Sequence, residues 1–259
     1  MAEEPNIVLL HIGTNDFSAA NENASEVENI LTVIDDYEFT SGKNVWVILA
    51  LIVNRGCDPY IPLCPKSQET TDFNEDVRNS VFLPRQIGGD NILLVDMENG
   101  AGINYERWDM GGDMWDDIHP FETGYNKMAD LWFTRLLEIL PQADASLDQD
   151  VNEFETVILD ASSSFDPKGG NLSYQWTQTA GTPVFLFDDQ EAQSTFDAPE
   201  VGPGGEILTF EVTVTDEDDL VSTDTVSIAV AVEGLAYAPV APCRIVDTRN
   251  SGGIINATT

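Results

Sequence analysis

Positive charge is what this 259-residue chain has least of: 11 lysines and arginines stand against 46 aspartates and glutamates, for a net charge of −35. Such a surface repels phosphate backbones and anionic membranes, which argues against nucleic acid as a partner. It fits a protein bathed in salt or divalent cations, whose counter-ions screen the self-repulsion. Long apolar runs are also lacking. The longest, Val45–Val53, falls far short of the ~20 residues needed to cross a bilayer, so no membrane span is expected. The opening Met1-Ala2-Glu3-Glu4-Pro5 is acidic and leads straight into an apolar run, so no signal peptide is read in this chain. Cysteine is scarce, with three in all. Cys57 and Cys64 bracket a short proline-containing loop that suits a local disulfide, two free thiols being the other reading, and Cys243 stands apart. Metal binding is not expected at these cysteines, because neither of the two histidines is near them in sequence.

What is present is a normal globular share of apolar residues, 42%, arranged in two different patterns. Up to about Leu140, apolar runs alternate with helical periodicity. Asn6–Ile12 is a continuous apolar run ending at Gly13, the mark of a strand buried on both faces. Ser25 and Glu28 form a capping-box pair, after which Val27, Ile30, Leu31, Ile34 and Tyr37 recur at helical spacing. Val45–Val53 predicts the second strand, Phe73–Leu83 a helix and Asn91–Met97 a third strand. Thr123 then caps a helix carrying Tyr125, Met128, Trp132, Leu136 and Leu140 on one face. Strands alternating with helices argue for a parallel sheet with helical crossovers.

Past Pro141 the pattern changes. The polar stretch around 143–154 predicts a linker. Short strands follow at Thr156–Leu159, Leu172–Gln178, Val184–Phe187, Ile207–Thr215 and Thr225–Val232, separated by Gly/Pro/Asp turns. That spacing, without helical periodicity, predicts a β-sandwich of immunoglobulin type over 155–233. Residues 234–259 read as a tail, the start of a further module.

Two places carry residues suited to chemistry. His119 follows Asp116 by three residues and precedes the last helix of the first half. In that arrangement an aspartate can orient an imidazole that acts as a general base. Alone, a loop histidine is an ordinary surface residue. Gly13-Thr14-Asn15-Asp16 follows the first buried strand, and ligand sites in open α/β sheets gather at the carboxyl ends of strands. An asparagine amide there can donate to an oxyanion; alone, the same residues make an ordinary strand-to-helix turn.

Together, Gly13-Thr14-Asn15-Asp16 and Asp116-Asp117-Ile118-His119-Pro120 resemble the third and fifth sequence blocks of the SGNH/GDSL hydrolase superfamily, in the family's order. Val47–Asn54, Phe73-Asn74, Leu93–Met97 and Gly124–Ala129 look like further elements of its carbohydrate-acetylesterase branch, so the resemblance covers roughly residues 5–140. It implies a three-layer α/β domain over 1–142 and hydrolysis of esters, above all acetylated polysaccharide, by a Ser-His-Asp mechanism. His119 would be the base, Asp116 its orienting acid and Asn15 an oxyanion donor, with Gly13 and Asp16 shaping the turn. No cofactor is needed for that catalysis. One departure matters: the family's serine lies in a Gly-Asp-Ser block on an earlier strand, and none of the twelve residues before Gly13 is serine. The domain is therefore expected to lack its first strand and its nucleophile, leaving a sheet edge exposed. A non-catalytic extracellular binding or spacer protein with a vestigial hydrolase domain is the other reading.

In the second half, Leu159-Asp160, Phe165-Asp166-Pro167, Leu172–Trp176 and Val214-Thr215-Asp216 resemble PKD/cadherin-like modules, which are appended to many extracellular enzymes. The resemblance implies an extracellular or cell-surface home for the full-length parent. Trp176 is expected in the core. Asp160, Asp166, Asp216 and Asp218 are candidate calcium ligands at one end of the sandwich, solvated turn aspartates being the other reading. Lys168, two residues after Asp166, weighs against the metal.

Overall fold

The computed structural model describes residues 5–13, 24–55 and 67–233. Asn15, Asp16, Cys57, Cys64, Cys243 and the tail from 234 lie outside them. In the first half three strands, β1 (Ile7–His11), β2 (Trp46–Leu51) and β3 (Ile92–Asp96), form a parallel sheet in the order β1-β2-β3. Central β2 is apolar throughout because both of its faces are covered. Val47, Leu49 and Leu51 join one core with Val27 and Leu31 of α1 (Ser25–Ser41) and with Phe73, Val77 and Val81. Ile48 and Ala50 join another with Met128 of α4 (Glu122–Leu136) and with Ile139. Helix, sheet, helix is the three-layer arrangement expected, and β1 forms one edge among the described residues, with Leu9 48% exposed.

The helices follow the predicted periodicity with local differences. The stretch after Ser67 runs as α2 (Gln68–Asp76), a wider π-turn over Val77–Phe82, and α3 (Leu83–Gly88). The π-turn falls just before Pro84, whose ring would clash with the carbonyl four residues back in a regular α-helix. Ser25 is the first residue of α1 rather than its cap: Ala24 holds the cap position and its N–H donates to Asp76 Oδ2 at 2.9 Å. Glu28, the other half of the expected capping box, is instead held by Arg85 at 2.9 Å. Thr123 likewise lies inside α4 rather than capping it.

The second half is the expected sandwich. One sheet has the order β4-β9-β8-β6, from β4 (Gln149–Asn152), β9 (Val221–Ala231), β8 (Glu206–Thr215) and β6 (Ser173–Ala180); the other pairs β5 (Thr156–Asp160) with β7 (Gln193–Asp197). Trp176, Phe196, Phe210 and Leu159 fill the space between them, so Trp176 is a core residue. The predicted linker belongs to this unit: β4 pairs in parallel with β9, and Ala145 is buried in the core. The predicted strand at Val184–Phe187 is reduced to one bridge between Phe187 and Thr195, with Phe185 72% exposed.

Polar contacts join the halves at the amino ends of β1 and β2. Lys168 Nζ donates to the Ile139 carbonyl and to Asp216 Oδ2, both at 2.6 Å, with Asp166 Oδ1 at 3.2 Å and Asp218 Oδ2 at 3.9 Å. The same ammonium lies 5.8 Å from the centroid of the Trp46 ring, a cation–π approach. Trp46 Nε1 and Asn44 Nδ2 donate to the Asp218 carboxylate at 3.0 and 3.1 Å, and Asn6 Nδ2 to the Asp219 carbonyl at 3.0 Å. Leu220 completes the joint by packing into the α4 side of the first core.

Candidate active site

Helix α4 ends beside this joint, since Ile139 just beyond it receives Lys168. At a rise of about 1.5 Å per residue the helix spans roughly the length of the sheet. Its start therefore lies toward the carboxyl ends of the strands, where Gly13 follows β1. The loop that leads into α4 is a narrow hairpin. Met114 and Pro120 bridge antiparallel, Trp115 N donates to the His119 carbonyl at 2.8 Å, and Phe121 N donates to the Asp113 carbonyl at 2.6 Å. Met114 is fully buried, so the next pair along, Trp115 and His119, faces outward.

Gly124 lets α4 approach this loop. A Cβ there would lie 2.6 Å from the Asp113 carbonyl oxygen and 2.9 Å from Pro120. Asp113 is buried and anchors the hairpin base. Its carboxylate takes Lys127 Nζ at 2.5 Å and the Asn104 N–H at 2.7 Å. Burial alone would push this carboxyl up; those bonds, with one from Thr123, outweigh it and hold it below the ordinary aspartate range.

At the tip, Asp116 and His119 meet as the sequence spacing predicts. His119 Nδ1 is 2.8 Å from Asp116 Oδ2, and Asp116 Oδ1 accepts the backbone N–H groups of Ile118 and His119 at 2.8 and 2.6 Å. Partial burial pushes the Asp116 carboxyl up, but the hydrogen bonds from His119 and Ile118 prevail and keep it below its usual range. An ionised Asp116 fixes the tautomer: Nδ1 carries the proton, and Nε2 is left with a lone pair. The His119 side chain is 64% exposed, so that lone pair is open to a reactant.

Gly13 takes φ +113°, a conformation few other residues adopt, and a Cβ there would press on the Phe73 ring at 2.7 Å. The turn thus needs glycine for both backbone and space. Asn15 and Asp16 follow it outside the described residues.

The structure also brings together a polar network that the sequence reading did not single out. Glu98 is buried, and its carboxylate accepts from Asn54 Nδ2 at 2.7 Å, Thr71 Oγ1 at 2.6 Å and Asn74 Nδ2 at 2.9 Å. Asn74 in turn clamps both backbone groups of Ile52 at 2.9 Å. Tyr105 donates to the Glu98 carbonyl at 2.7 Å, and burial pushes its phenol up to about 12. The signal was a polar residue at the carboxyl end of a buried strand, Asn54 after β2 and Glu98 after β3.

Of the four aspartates named for calcium, three surround Lys168 at the joint. Asp160 has other partners, accepting from Ser162 and Gln193 at 2.5 and 2.9 Å. Among the described residues no group of three or more His, Cys, Asp or Glu is arranged to hold a metal ion.

The comparisons with known proteins follow the same division. A family model described as GDSL-like Lipase/Acylhydrolase matches residues 2–132, and one described as K319L-like, PKD domain matches 145–230. No curated protein matches the chain. Among solved structures, the PKD domain from the KIAA 1837 protein is 30% identical with a TM-score of 0.32, covering 39% of this chain and 93% of that one. A nucleoside hydrolase-related hypothetical protein from Saccharophagus degradans, described as associated with carbohydrate metabolism, is 24% identical with a TM-score of 0.32. That match covers 35% of this chain and only 25% of the other.

Proposed function

Because the chain belongs to the GDSL-like lipase/acylhydrolase family, we propose that it carries the acid–base half of an extracellular ester hydrolase that removes acetyl groups from polysaccharides. The observation behind this reading is the pairing of Asp116 with His119 Nδ1 at 2.8 Å, which leaves Nε2 for the reacting hydroxyl.

In the proposed reaction a serine Oγ attacks the ester carbonyl carbon while His119 Nε2 takes its proton. Asp116 stays ionised and holds the resulting imidazolium. The carbonyl oxygen becomes an oxyanion, to which the Asn15 amide donates. His119 then returns the proton to the departing sugar oxygen as the C–O bond breaks. Water repeats the sequence on the acyl-serine and releases acetate.

No serine precedes Gly13 in this chain, so the proposal assigns the nucleophile to residues outside 1–259. An extracellular setting is supported by the PKD module and the excess of acidic residues. No helix among the described residues is long and apolar enough to cross a membrane.

The hydrolase and the spacer protein with a vestigial hydrolase domain separate when the 259-residue chain and the same chain extended by the codons upstream of Met1 are assayed on acetylated xylan. Hydrolysis by the extended chain that disappears in His119→Ala supports the hydrolase. An upstream sequence without a Gly-Asp-Ser strand, together with an inert extended chain, supports the spacer.

A further inference from the structure

Beside His119 lies an aromatic cluster for which the acid–base chemistry has no use. Trp108 and Trp115 have ring centroids 5.7 Å apart with planes 5° from parallel. Phe121 lies 5.2 Å from Trp108 and 6.0 Å from Trp115, tilted by 20° and 15°. The three rings are stacked with nearly parallel planes, so part of each face is turned on a neighbour and the outer faces of the stack are what a ligand can meet. Trp115 remains 54% exposed and Trp108 42%, although Met114 of the same hairpin is fully buried. Large aromatics left in water as a group mark a contact surface rather than stray exposure.

The cluster is held in place by backbone. Trp108 opens a short 3-10 turn, and its N–H donates to the Met114 carbonyl at 2.8 Å while Met114 N donates to the Glu106 carbonyl at 3.1 Å. Trp115 and Phe121 stand on the two arms of the hairpin whose tip carries Asp116 and His119. The platform and the base therefore stand on one loop tied by backbone hydrogen bonds, which lowers the cost of ordering when a ligand arrives.

We propose that Trp108, Trp115 and Phe121 form a stacking platform for a pyranose ring of a neutral polysaccharide, placed so that a substituent of that ring or its neighbour reaches His119. An exposed indole face at the outside of the stack matches the C–H face of a sugar, whereas an acyl chain is gripped best from several sides. Exposed Asp109, Asp117 and Glu122 border the platform and accept hydrogen bonds from sugar hydroxyls. The nearby cations are already engaged, Arg107 with Asp109 at 3.2 Å and Lys127 with Asp113, so an anionic polymer meets no free counter-charge from them. A net charge of −35 repels such a polymer further. The choice of ring bearing the ester rests on the hydrolase reading; the binding of the ring does not.

The test is calorimetric titration of the 259-residue chain with xylohexaose, cellohexaose and mannohexaose, with hexagalacturonate and dodecanoate as the anionic and acyl-chain probes. At least one neutral hexasaccharide is expected to bind, and both Trp108→Ala and Trp115→Leu to weaken it at least about tenfold, or ~1.4 kcal/mol. Trp115→Leu keeps an apolar contact with Phe121 while removing the flat face, and circular dichroism checks that each variant is folded. The proposal is overturned if no neutral hexasaccharide binds or if binding ignores both tryptophans. It is equally overturned if only dodecanoate or hexagalacturonate binds, or if the platform proves buried in a dimer that Trp115→Leu dissociates. Sugar binding by a chain whose extended form hydrolyses no ester would sink the hydrolase reading and leave the platform standing.

Discussion

Asp116 Oδ2 lies 2.8 Å from His119 Nδ1, while Asp116 Oδ1 accepts the backbone N–H of the same histidine at 2.6 Å. One carboxylate therefore sets both the tautomer of the ring and the path of the chain that carries it. In the proposed hydrolase, Asp116→Asn presents an amide that can stabilise the wrong tautomer and no longer balances the imidazolium. The expected loss in kcat on p-nitrophenyl acetate is roughly 10³–10⁴-fold, with folding little changed, measured in the extended chain.

Lys168 is expected to be the fastening point between the two halves. Lys168→Met leaves the buried carboxylates of Asp166 and Asp216, 2% and 0% exposed, without their ammonium. A loss of about 3 kcal/mol is expected from stranding them, seen as a lower urea midpoint. The sandwich is also expected to melt separately from the α/β half in this variant. Calcium added to the parent has to displace Lys168 to reach these carboxylates, so the parent's melting temperature should respond no more than it does to general screening of its charge, whereas that of Lys168→Met should rise further.

The same joint gives a pH dependence of definite sign. Burial raises the Asp166 carboxyl, but its bonds to Lys168 and Gly170 overcome this and hold it below the ordinary range. Its contribution is present above the unfolded value and is lost as pH falls below about 4. Burial lowers the Lys168 ammonium, but Asp216 and Asp166 overcome this and raise it. That contribution is complete below the unfolded value and is lost as pH rises past about 10. Stability of the parent should thus fall at both limits, and in Lys168→Met the alkaline fall should be smaller.

Glu98→Gln tests the network behind the strand ends. The new amide turns a donor toward Asn54, Thr71 or Asn74, each of which now donates to the carboxylate. An expected cost of about 2 kcal/mol follows from the mismatched buried donors, read as a shift in urea midpoint with an unchanged slope.

Much of the fold was legible because its cause is local. The continuous run Val45–Val53 could only be a strand buried on both faces, and β2 is that strand. Phe73, Val77 and Val81 stood at helical spacing and all are buried. The Asp116–His119 pair was legible for the same reason, since three residues of one loop bring the two side chains together. Contacts between distant segments were not. The capping box failed because Arg85 claims Glu28 from far along the chain. Residues 143–154 looked like a linker because so few of them are apolar, yet pairing with β9 orders them. β7 passed unnoticed because Gln193–Asp197 buries only Ser194 and Phe196 on its inner face. The Glu98 network and the Lys168 joint need segments that the sequence separates widely, so no spacing announces them.

In the proposed hydrolase His119 and Asp116 are the base and its orienting acid, and the nucleophile is none of these 259 residues. The decisive measurement is p-nitrophenyl acetate hydrolysis by the purified 259-residue chain beside its His119→Ala variant. The expected result is the same negligible rate for both, at the level of buffer. Robust turnover by the parent that vanishes in His119→Ala would rule out this assignment, because it would require a nucleophile within these 259 residues.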